Sequence, residues 1–154
     1  MERIDIFLET LQERVPEYIE ELEKIAIKNE VPIIRRSTRN LLRYLIRTKK
    51  PLRVLEVGTA IGYSALFMSE YLPEGSKLTT IEKVEMRLVE ARKNFELYDI
   101  KKVICLLEGD AADVLNELAD KKETFDFIFL DAAKGQYLNF FPQLLLLLET
   151  GGII

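Results

Sequence analysis

The chain has 154 residues, 48% hydrophobic and 31% charged, with a net charge of −4, which predicts one globular domain spanning residues 1–154. The absence of histidine excludes Ser-His-Asp hydrolases, histidine-ligated zinc sites and histidine general bases, and leaves carboxylates, lysine and hydroxyls for any chemistry. Every apolar run is shorter than the roughly 18 to 20 residues that cross a bilayer, and the N-terminus carries acidic residues where a secretory signal is basic, so we expect a cytoplasmic protein without a membrane span.

Residues 1–50 are predicted to be helical. Apolar residues at helical spacing predict two amphipathic helices, with a helix start at Pro16 between them. The first apolar face consists of Ile4, Phe7, Leu8 and Leu11, and the second of Tyr18, Ile19, Leu22, Ile25 and Ala26. An apolar face on the first helix, outside any sheet, is compatible with a homodimer.

A third helix is predicted after Pro32, and its arginines are segregated to one side. Ile34, Leu41 and Leu45 fall on one face, and Arg36, Arg39, Arg43 and Arg47 fall on the opposite face. Residues 31–55 contain eight Arg or Lys and no acidic residue, so this segment carries +8 and the remainder −12. The arginine face predicts either a surface for RNA phosphates or simply a solvated helix face.

Residues 51–154 alternate short apolar runs with amphipathic helical stretches, which is typical of a parallel sheet covered by helices. Four strands are predicted at Leu52 to Val57, Leu78 to Ile81, Val103 to Leu107 and Phe125 to Leu130. Helices are predicted at Tyr63 to Leu72, Glu85 to Tyr98, Ala112 to Lys121 and Gln136 to Glu149. The one cysteine, Cys105, lies in the third apolar run and is predicted to be a buried, inert thiol.

The last residues predict the start of a fifth strand. Gly151 and Gly152 should end the preceding helix, and Ile153 and Ile154 should begin the strand. Since an open apolar strand edge is unusual at the end of a domain, we expect the fold to be truncated here.

Two glycines follow the first strand in the segment Leu55-Glu56-Val57-Gly58-Thr59-Ala60-Ile61-Gly62, where the backbone is predicted to approach a ligand closely. The spacing is Gly-x-x-x-Gly and not the Gly-x-Gly-x-x-Gly of dinucleotide folds. An acidic residue, Glu56, two positions before the first glycine suits a ligand with a cationic amine, such as S-adenosylmethionine.

Two further acidic residues end the next two strands. Glu82 ends the second, where a carboxylate can accept both hydrogen bonds of a ribose diol. Asp110, followed by Ala111, ends the third, where its side chain and the next N–H can bind adenine. Each feature alone is more often a turn or a helix cap, but three in order at successive strand ends predict a cofactor site.

The stretches Leu55 to Ala65 (LEVGTAIGYSA) and Leu130 to Tyr137 (LDAAKGQY) resemble the cation-dependent O-methyltransferases, which include catechol and caffeoyl-CoA methyltransferases. Within that family, Ala132 to Tyr137 and the upstream Val31-Pro32-Ile33 are most similar to bacterial tRNA 5-hydroxyuridine methyltransferases. The resemblance covers residues 30–154. It implies an α/β, Rossmann-like S-adenosylmethionine-dependent methyltransferase fold with N-terminal helices (1–50) and a cofactor-binding part (51–154).

The resemblance also implies roles for individual residues. Asp131 would bind a divalent metal, with Mg²⁺ preferred, and Lys134 would lie beside the acceptor hydroxyl. Two further metal ligands, an Asp-Asn pair after the fifth strand in the family, fall beyond this sequence. The implied S-adenosylmethionine site consists of Ile34, Glu56, Gly58, Tyr63, Ser64, Glu82, Asp110, Ala111 and Asp131.

Asp131 and Lys134 could ionise the hydroxyl that accepts the methyl group. A phenol-like hydroxyl with a pKa of about 10 is ionised to about one part in a thousand at pH 7, equivalent to roughly 4 kcal/mol. A hard cation held by carboxylate oxygens can lower this barrier, and Lys134 can accept the proton. The alternative is that Asp131 and Lys134 belong to a solvated loop.

Three functional alternatives remain open from the sequence. The arginine face favours 5-hydroxyuridine in tRNA as the methyl acceptor, and small catechols or caffeoyl-CoA-like phenols are the alternative within the same reaction class. An NAD-binding oxidoreductase is compatible with the fold but not with the glycine spacing. A non-catalytic module with a partner or dimer surface on the N-terminal helices is the third possibility.

Overall fold

The computed structural model describes residues 13–132 and 134–154. Helices α1 (Glu17–Lys28) and α2 (Arg36–Lys49) precede the sheet. The elements that follow alternate: β1 (Arg53–Val57), α3 (Tyr63–Tyr71), β2 (Lys77–Glu82), α4 (Glu85–Tyr98), β3 (Ile104–Glu108), α5 (Ala111–Asp120), β4 (Phe125–Leu130), a 3₁₀ turn (Lys134–Gln136), α6 (Tyr137–Leu147) and β5 (Leu148–Ile153). The predicted helix containing Ile4, Phe7, Leu8 and Leu11 lies outside the described residues.

The five strands form one parallel sheet in the order β3-β2-β1-β4-β5. This confirms the predicted Rossmann-like α/β fold. The chain moves outward from β1 to β3 and then crosses to β4 on the other side of β1, so the direction of winding reverses between β1 and β4. Ligands of open α/β sheets bind outside the carboxyl ends of the strands at such a switch point.

The sheet separates two apolar cores, because successive strand residues point to opposite faces. Val54 of β1 packs with α1, α2 and α3 in the first core. Leu55 and Val57 pack with α5 and α6 in the second core. The rigid layers on either side of the sheet hold the strand ends, and the loops that follow them, in fixed relative positions.

The prediction that the arginine face of α2 is exposed is wrong for two of its four arginines: Arg36 and Arg47 are exposed, and Arg39 and Arg43 are buried. Arg39 and Arg43 are only 5% and 9% exposed, whereas Leu41, predicted to face the core, is 56% exposed. Arg39 Nη1 lies 2.9 Å from the Tyr63 hydroxyl and 3.5 Å from Glu23 Oε2. Arg39 and Arg43 therefore form a polar layer between α2 and its neighbours.

Aromatic rings complete this buried arginine layer. The Arg39 guanidinium lies 5.7 Å from the ring centre of Phe67, and those of Arg43 and Arg47 lie 5.8 and 4.9 Å from that of Tyr71. Cation–π contacts and ion pairs offset the cost of removing the guanidinium groups from water. Arg39 and Arg43 are therefore unavailable to RNA phosphates, which weakens the argument for an RNA-binding surface on α2.

Three smaller expectations also differ from the structure. Ile25, predicted on the buried face of α1, is 45% exposed. The last strand begins at Leu148, not Ile153, and Gly151 lies within it at a φ of +80° beside an irregularity in its pairing with β4. Cys105 is partly exposed, because β3 is an edge strand of the described sheet. Among the described residues, no helix is long and apolar enough to cross a membrane.

Candidate functional site

A cavity of about 700 Å³ opens at the carboxyl edge of the sheet. It lies at the switch point between β1 and β4, and the ends of β2 and β3 also border it. Five of the predicted site residues line this cavity: Gly58, Glu82, Asp110, Ala111 and Asp131. Residues that are far apart in the sequence therefore meet at one site.

Gly58 lies where β1 and β4 end side by side. Its N–H donates to the Ile81 carbonyl at 3.0 Å, and the Asp131 N–H donates to the Val57 carbonyl at 3.0 Å. Gly58 has a φ of +95°, and a Cβ atom there would lie 2.8 Å from the Asp131 carbonyl oxygen. Only glycine fits this conformation and this spacing without displacing the neighbouring backbone.

The second glycine of the motif, Gly62, has a different role from the predicted approach to a ligand. Its φ is +86°, and a Cβ atom there would lie 2.6 Å from the ring of Phe95 on α4. The Asn94 side chain, also on α4, donates to the Ile61 carbonyl at 2.8 Å. Gly62 thus allows α4 to pack against the loop, and it does not line the cavity.

The Glu82 carboxylate is held by three backbone N–H groups. Oε1 accepts from Lys83 and Val84, both at 2.9 Å, and Oε2 accepts from Ala60 at 3.0 Å. A carboxylate offers about four acceptor positions, so one position remains for a ligand hydroxyl. The loop after β1 and the end of β2 are thereby tied together, and the carboxylate is already oriented.

Asp110 performs the structural role of a helix cap at the same cavity. Its Oδ1 accepts from the Ala112 N–H of α5 at 2.9 Å, and its Oδ2 accepts from Lys83 Nζ at 2.9 Å. The Lys83 hydrogen bond, and to a lesser extent the Ala112 N–H, hold the pKa of Asp110 below its usual range. The carboxylate is therefore ionised at neutral pH.

Glu56 lies behind the cavity and does not line it. Its side chain is fully buried, and Oε2 accepts from the Thr80 hydroxyl at 2.5 Å. Burial raises the pKa of Glu56 to about 7, against the opposing effect of the Ser64 and Thr80 hydroxyls. Glu56 Oε1 and Thr59 Oγ1 are buried without a hydrogen-bond partner among the described residues.

Three other predicted site residues are buried near the site without lining the cavity. Ile34 belongs to the first core, although the preceding Pro32 and Ile33 do border the cavity. Ser64 is buried near Glu56. Tyr63 is buried in the first core with its hydroxyl accepting from Arg39. Their contact with a cofactor stays a prediction.

Sequence reasoning missed several residues that border the cavity. They share no single motif, because most of them reach it from helix starts or loops: Pro32, Ile33, Ala60, Lys83, Val84, Arg87, Ala112, Gln136 and Phe140. Two signals were available: Pro32, Ile33, Ala60 and Gln136 lie within the quoted motifs, and Lys83 directly follows Glu82 at a strand end.

The predicted metal position contains one carboxylate in this chain. Asp131 lines the cavity, and loss of surrounding water raises its pKa although the residue remains partly open to solvent. Lys134 begins the 3₁₀ turn that follows, and its side chain lies outside the described part of the molecule. Residues 13–132 and 134–154 contain no group of three or more His, Cys, Asp or Glu placed to hold a metal ion.

The family described as O-methyltransferase matches residues 9–154. Caffeoyl-CoA O-methyltransferase 1 from Arabidopsis thaliana is 33% identical over 153 residues, covering 92% of this chain and 56% of that protein. Catechol O-methyltransferase from Niastella koreensis is 33% identical over 102 residues, covering 66% and 46%. The chain thus spans about half the length of these curated relatives.

Solved structures share the same fold over nearly the whole chain. An O-methyltransferase from Bacillus cereus in complex with SAH (S-adenosylhomocysteine) superposes with a TM-score of 0.87 at 27% identity, covering 97% of this chain and 70% of that one. The O-methyltransferase TomG from Streptomyces achromogenes, in complex with SAM (S-adenosylmethionine), gives a TM-score of 0.85 at 25% identity, covering 97% and 69%.

Proposed function

The chain belongs to the O-methyltransferase family, and from this premise we propose that it binds S-adenosylmethionine in the cavity at the carboxyl edge of the sheet, and that the whole protein transfers the methyl group to an oxygen. One observation carries the proposal. Five residues predicted for this cofactor, from the ends of four strands, border the same cavity at the switch point of the sheet.

The cavity offers a separate group for each part of the cofactor. Glu82, with one acceptor position left, would bind one ribose hydroxyl. Asp110 and the Ala111 N–H would bind adenine. The methionine part would lie beside Gly58, which borders the cavity where β1 and β4 end.

The buried carboxyl group of Glu56 favours a cationic ligand in the neighbouring cavity. A carboxylate with a pKa of about 7 is only partly ionised at neutral pH. A nearby amine or sulfonium would favour its ionised form, since an opposite charge lowers the pKa of a carboxyl group. The unpartnered atoms Glu56 Oε1 and Thr59 Oγ1 leave hydrogen-bonding capacity for a ligand or water on this side.

We also propose metal dependence, with Mg²⁺ as the first choice, although the described residues fit a divalent cation only in part. Asp131 would be one carboxylate ligand, and a hard cation in such a site requires several oxygen ligands. A bound cation would supply Lewis-acid stabilisation of the acceptor oxyanion. Lys134 is proposed to take the proton from the hydroxyl that is methylated.

The methyl acceptor is proposed to be a phenol-like hydroxyl, with two candidates. Small phenols are favoured by the similarity to enzymes named for caffeoyl-CoA and catechol. 5-Hydroxyuridine in tRNA remains a proposal based on the resemblance in Ala132 to Tyr137, without the earlier support from α2, because Arg39 and Arg43 face inward. Homodimerisation and a cytoplasmic location are likewise proposals.

The test is transfer of a labelled methyl group from S-adenosylmethionine to a panel of catechol, caffeoyl-CoA and tRNA containing 5-hydroxyuridine, with Mg²⁺ and with EDTA. Labelling that requires Mg²⁺ and falls in Asp131→Asn is the expected result. The labelled acceptor decides between the two substrate classes. Cofactor binding without labelling of any hydroxyl compound would instead indicate the non-catalytic module, and binding of NAD in its place would indicate the oxidoreductase.

A further inference from the structure

An ion pair connects two strand ends at the edge of the candidate cofactor cavity. Lys83 follows β2 and Asp110 follows β3, and Lys83 Nζ lies 2.9 Å from Asp110 Oδ2. Both residues border the cavity, and neither is buried, with side chains 63% and 44% exposed. The pair therefore occupies the place where the chain offers its carboxylate to a purine.

The orientation of Asp110 does not depend on Lys83. Its other oxygen, Oδ1, caps α5 by accepting from the Ala112 N–H at 2.9 Å, and this bond fixes the carboxylate on the helix. Oδ2 is thus the oxygen that faces a ligand, and one of its two acceptor positions is already taken by the ammonium group of Lys83. Lys83 also neutralises the charge that would make Asp110 a strong acceptor.

We propose that Lys83 competes with the 6-amino group of the purine for Asp110, and thereby sets both the affinity for the cofactor and its selectivity for adenine over hypoxanthine. This inference rests on the proposed function, since it takes S-adenosylmethionine as the ligand of the cavity. Whether the ammonium group leaves or shares Oδ2, the hydrogen bond from the purine amine is weakened.

The same pair has the opposite effect on a 6-oxopurine. Hypoxanthine carries a carbonyl where adenine carries an amino group, so it can accept from Lys83 but meets repulsion from Asp110. Removal of Lys83 should strengthen adenine binding and remove a donor to the hypoxanthine carbonyl. Because an exposed ion pair contributes little, the change for adenine is expected to be about twofold to fivefold.

The experiment is calorimetric binding of S-adenosylhomocysteine and S-inosylhomocysteine to the purified protein and to Lys83→Met. Lys83→Met should bind S-adenosylhomocysteine about twofold to fivefold more tightly. The ratio of its affinity for S-adenosylhomocysteine to its affinity for S-inosylhomocysteine should rise by more than this factor, because the second affinity falls. Lys121→Met removes the same charge from an exposed pair with Glu117 outside this cavity, and its affinities should match the wild type.

Two further comparisons separate competition from a general effect of charge. In an Asp110→Asn background, Lys83→Met should leave the S-adenosylhomocysteine affinity unchanged, because the competed carboxylate is absent. The gain from Lys83→Met should also shrink as salt rises from about 0.05 to 0.5 M, because salt screens exposed pairs.

The outcomes are distinct. Unchanged or weaker S-adenosylhomocysteine binding by Lys83→Met, or an equal gain in the Asp110→Asn background, overturns the inference and leaves the proposed function intact. Absence of S-adenosylhomocysteine binding by the wild type contradicts the proposed function, and the inference with it.

Discussion

Replacing Gly58 with alanine should damage both stability and cofactor binding. A φ of +95° is unfavourable for alanine by about 1 to 2 kcal/mol. The added Cβ would also lie 2.8 Å from the backbone carbonyl oxygen of Asp131, which cannot rotate away as a flexible side chain can. Forced separation of the ends of β1 and β4 adds about 1 to 3 kcal/mol, as overpacking does elsewhere. The expected loss of unfolding free energy is therefore about 2 to 5 kcal/mol.

Gly75 provides the matched control. It has a φ of +80°, and a Cβ atom there would meet no atom within 4 Å. Gly75→Ala should therefore lose only the backbone contribution of about 1 to 2 kcal/mol. Urea unfolding measures both variants, and S-adenosylhomocysteine calorimetry on the folded proteins should show at least a tenfold weaker affinity for Gly58→Ala alone. Equal destabilisation of the two variants, or undiminished binding by Gly58→Ala, would refute the role of the Asp131 contact.

Two other predictions concern the buried groups next to the cavity. Tyr63→Phe removes the hydroxyl that accepts from Arg39 at 2.9 Å and should cost about 1 to 3 kcal/mol in urea unfolding, whereas Tyr44→Phe at an exposed site should cost almost nothing; equal costs would show that the bond contributes nothing. Burial raises the pKa of Glu56 from 4.5 to about 7, so the folded protein binds this proton more tightly than the unfolded chain, and stability should fall by about 3 kcal/mol as pH rises from 4.5 through 7. Glu56→Gln should reduce that fall when unfolding is measured at pH 5 and pH 8, and an identical pH dependence in the variant would contradict the assignment.

The order of elements and the meeting of five predicted site residues at one cavity could be predicted from local sequence patterns. Strands were visible as apolar runs, and polar residues such as Glu82 and Asp110 at their ends marked the edge where parallel sheets bind ligands. The predicted bounds of β4 and α4 agree with the structure residue by residue. These features depend on residues close together in the sequence, and local periodicity is sufficient to identify them.

The inward arginines of α2 could not be predicted in this way. A guanidinium is buried only where other elements supply its partners, and the partners of Arg39 are Glu23 on α1 and Tyr63 and Phe67 on α3. Helical periodicity within α2 contains no information about them. A burial preference inferred from hydropathy therefore misplaced Leu41, Arg39 and Arg43, although Ile34 and Leu45 do pack against the core.

The two glycines of the motif illustrate the same limit at closer range. The spacing predicted a close approach at both, but Gly58 meets the backbone after β4 and Gly62 meets the ring of Phe95 on α4. Tertiary packing decides which neighbouring group fills the space that a side chain would take at each glycine. The start of β5 was misplaced for a related reason. The leucine run from Leu144 to Leu148 looks helical throughout, but the helix ends at Leu147 and Leu148 pairs with Phe125 of β4.

The most direct test of the cofactor site is calorimetric binding of S-adenosylhomocysteine to the wild type, to Glu82→Gln and to Glu74→Gln, an exposed carboxylate outside the cavity. The account predicts one bound molecule per chain, an affinity about tenfold to a hundredfold weaker in Glu82→Gln, because a hydrogen bond to a charged group is lost, and an unchanged affinity in Glu74→Gln. Absence of binding by the wild type, or equal affinities in all three proteins, would contradict the assignment of this cavity to S-adenosylmethionine.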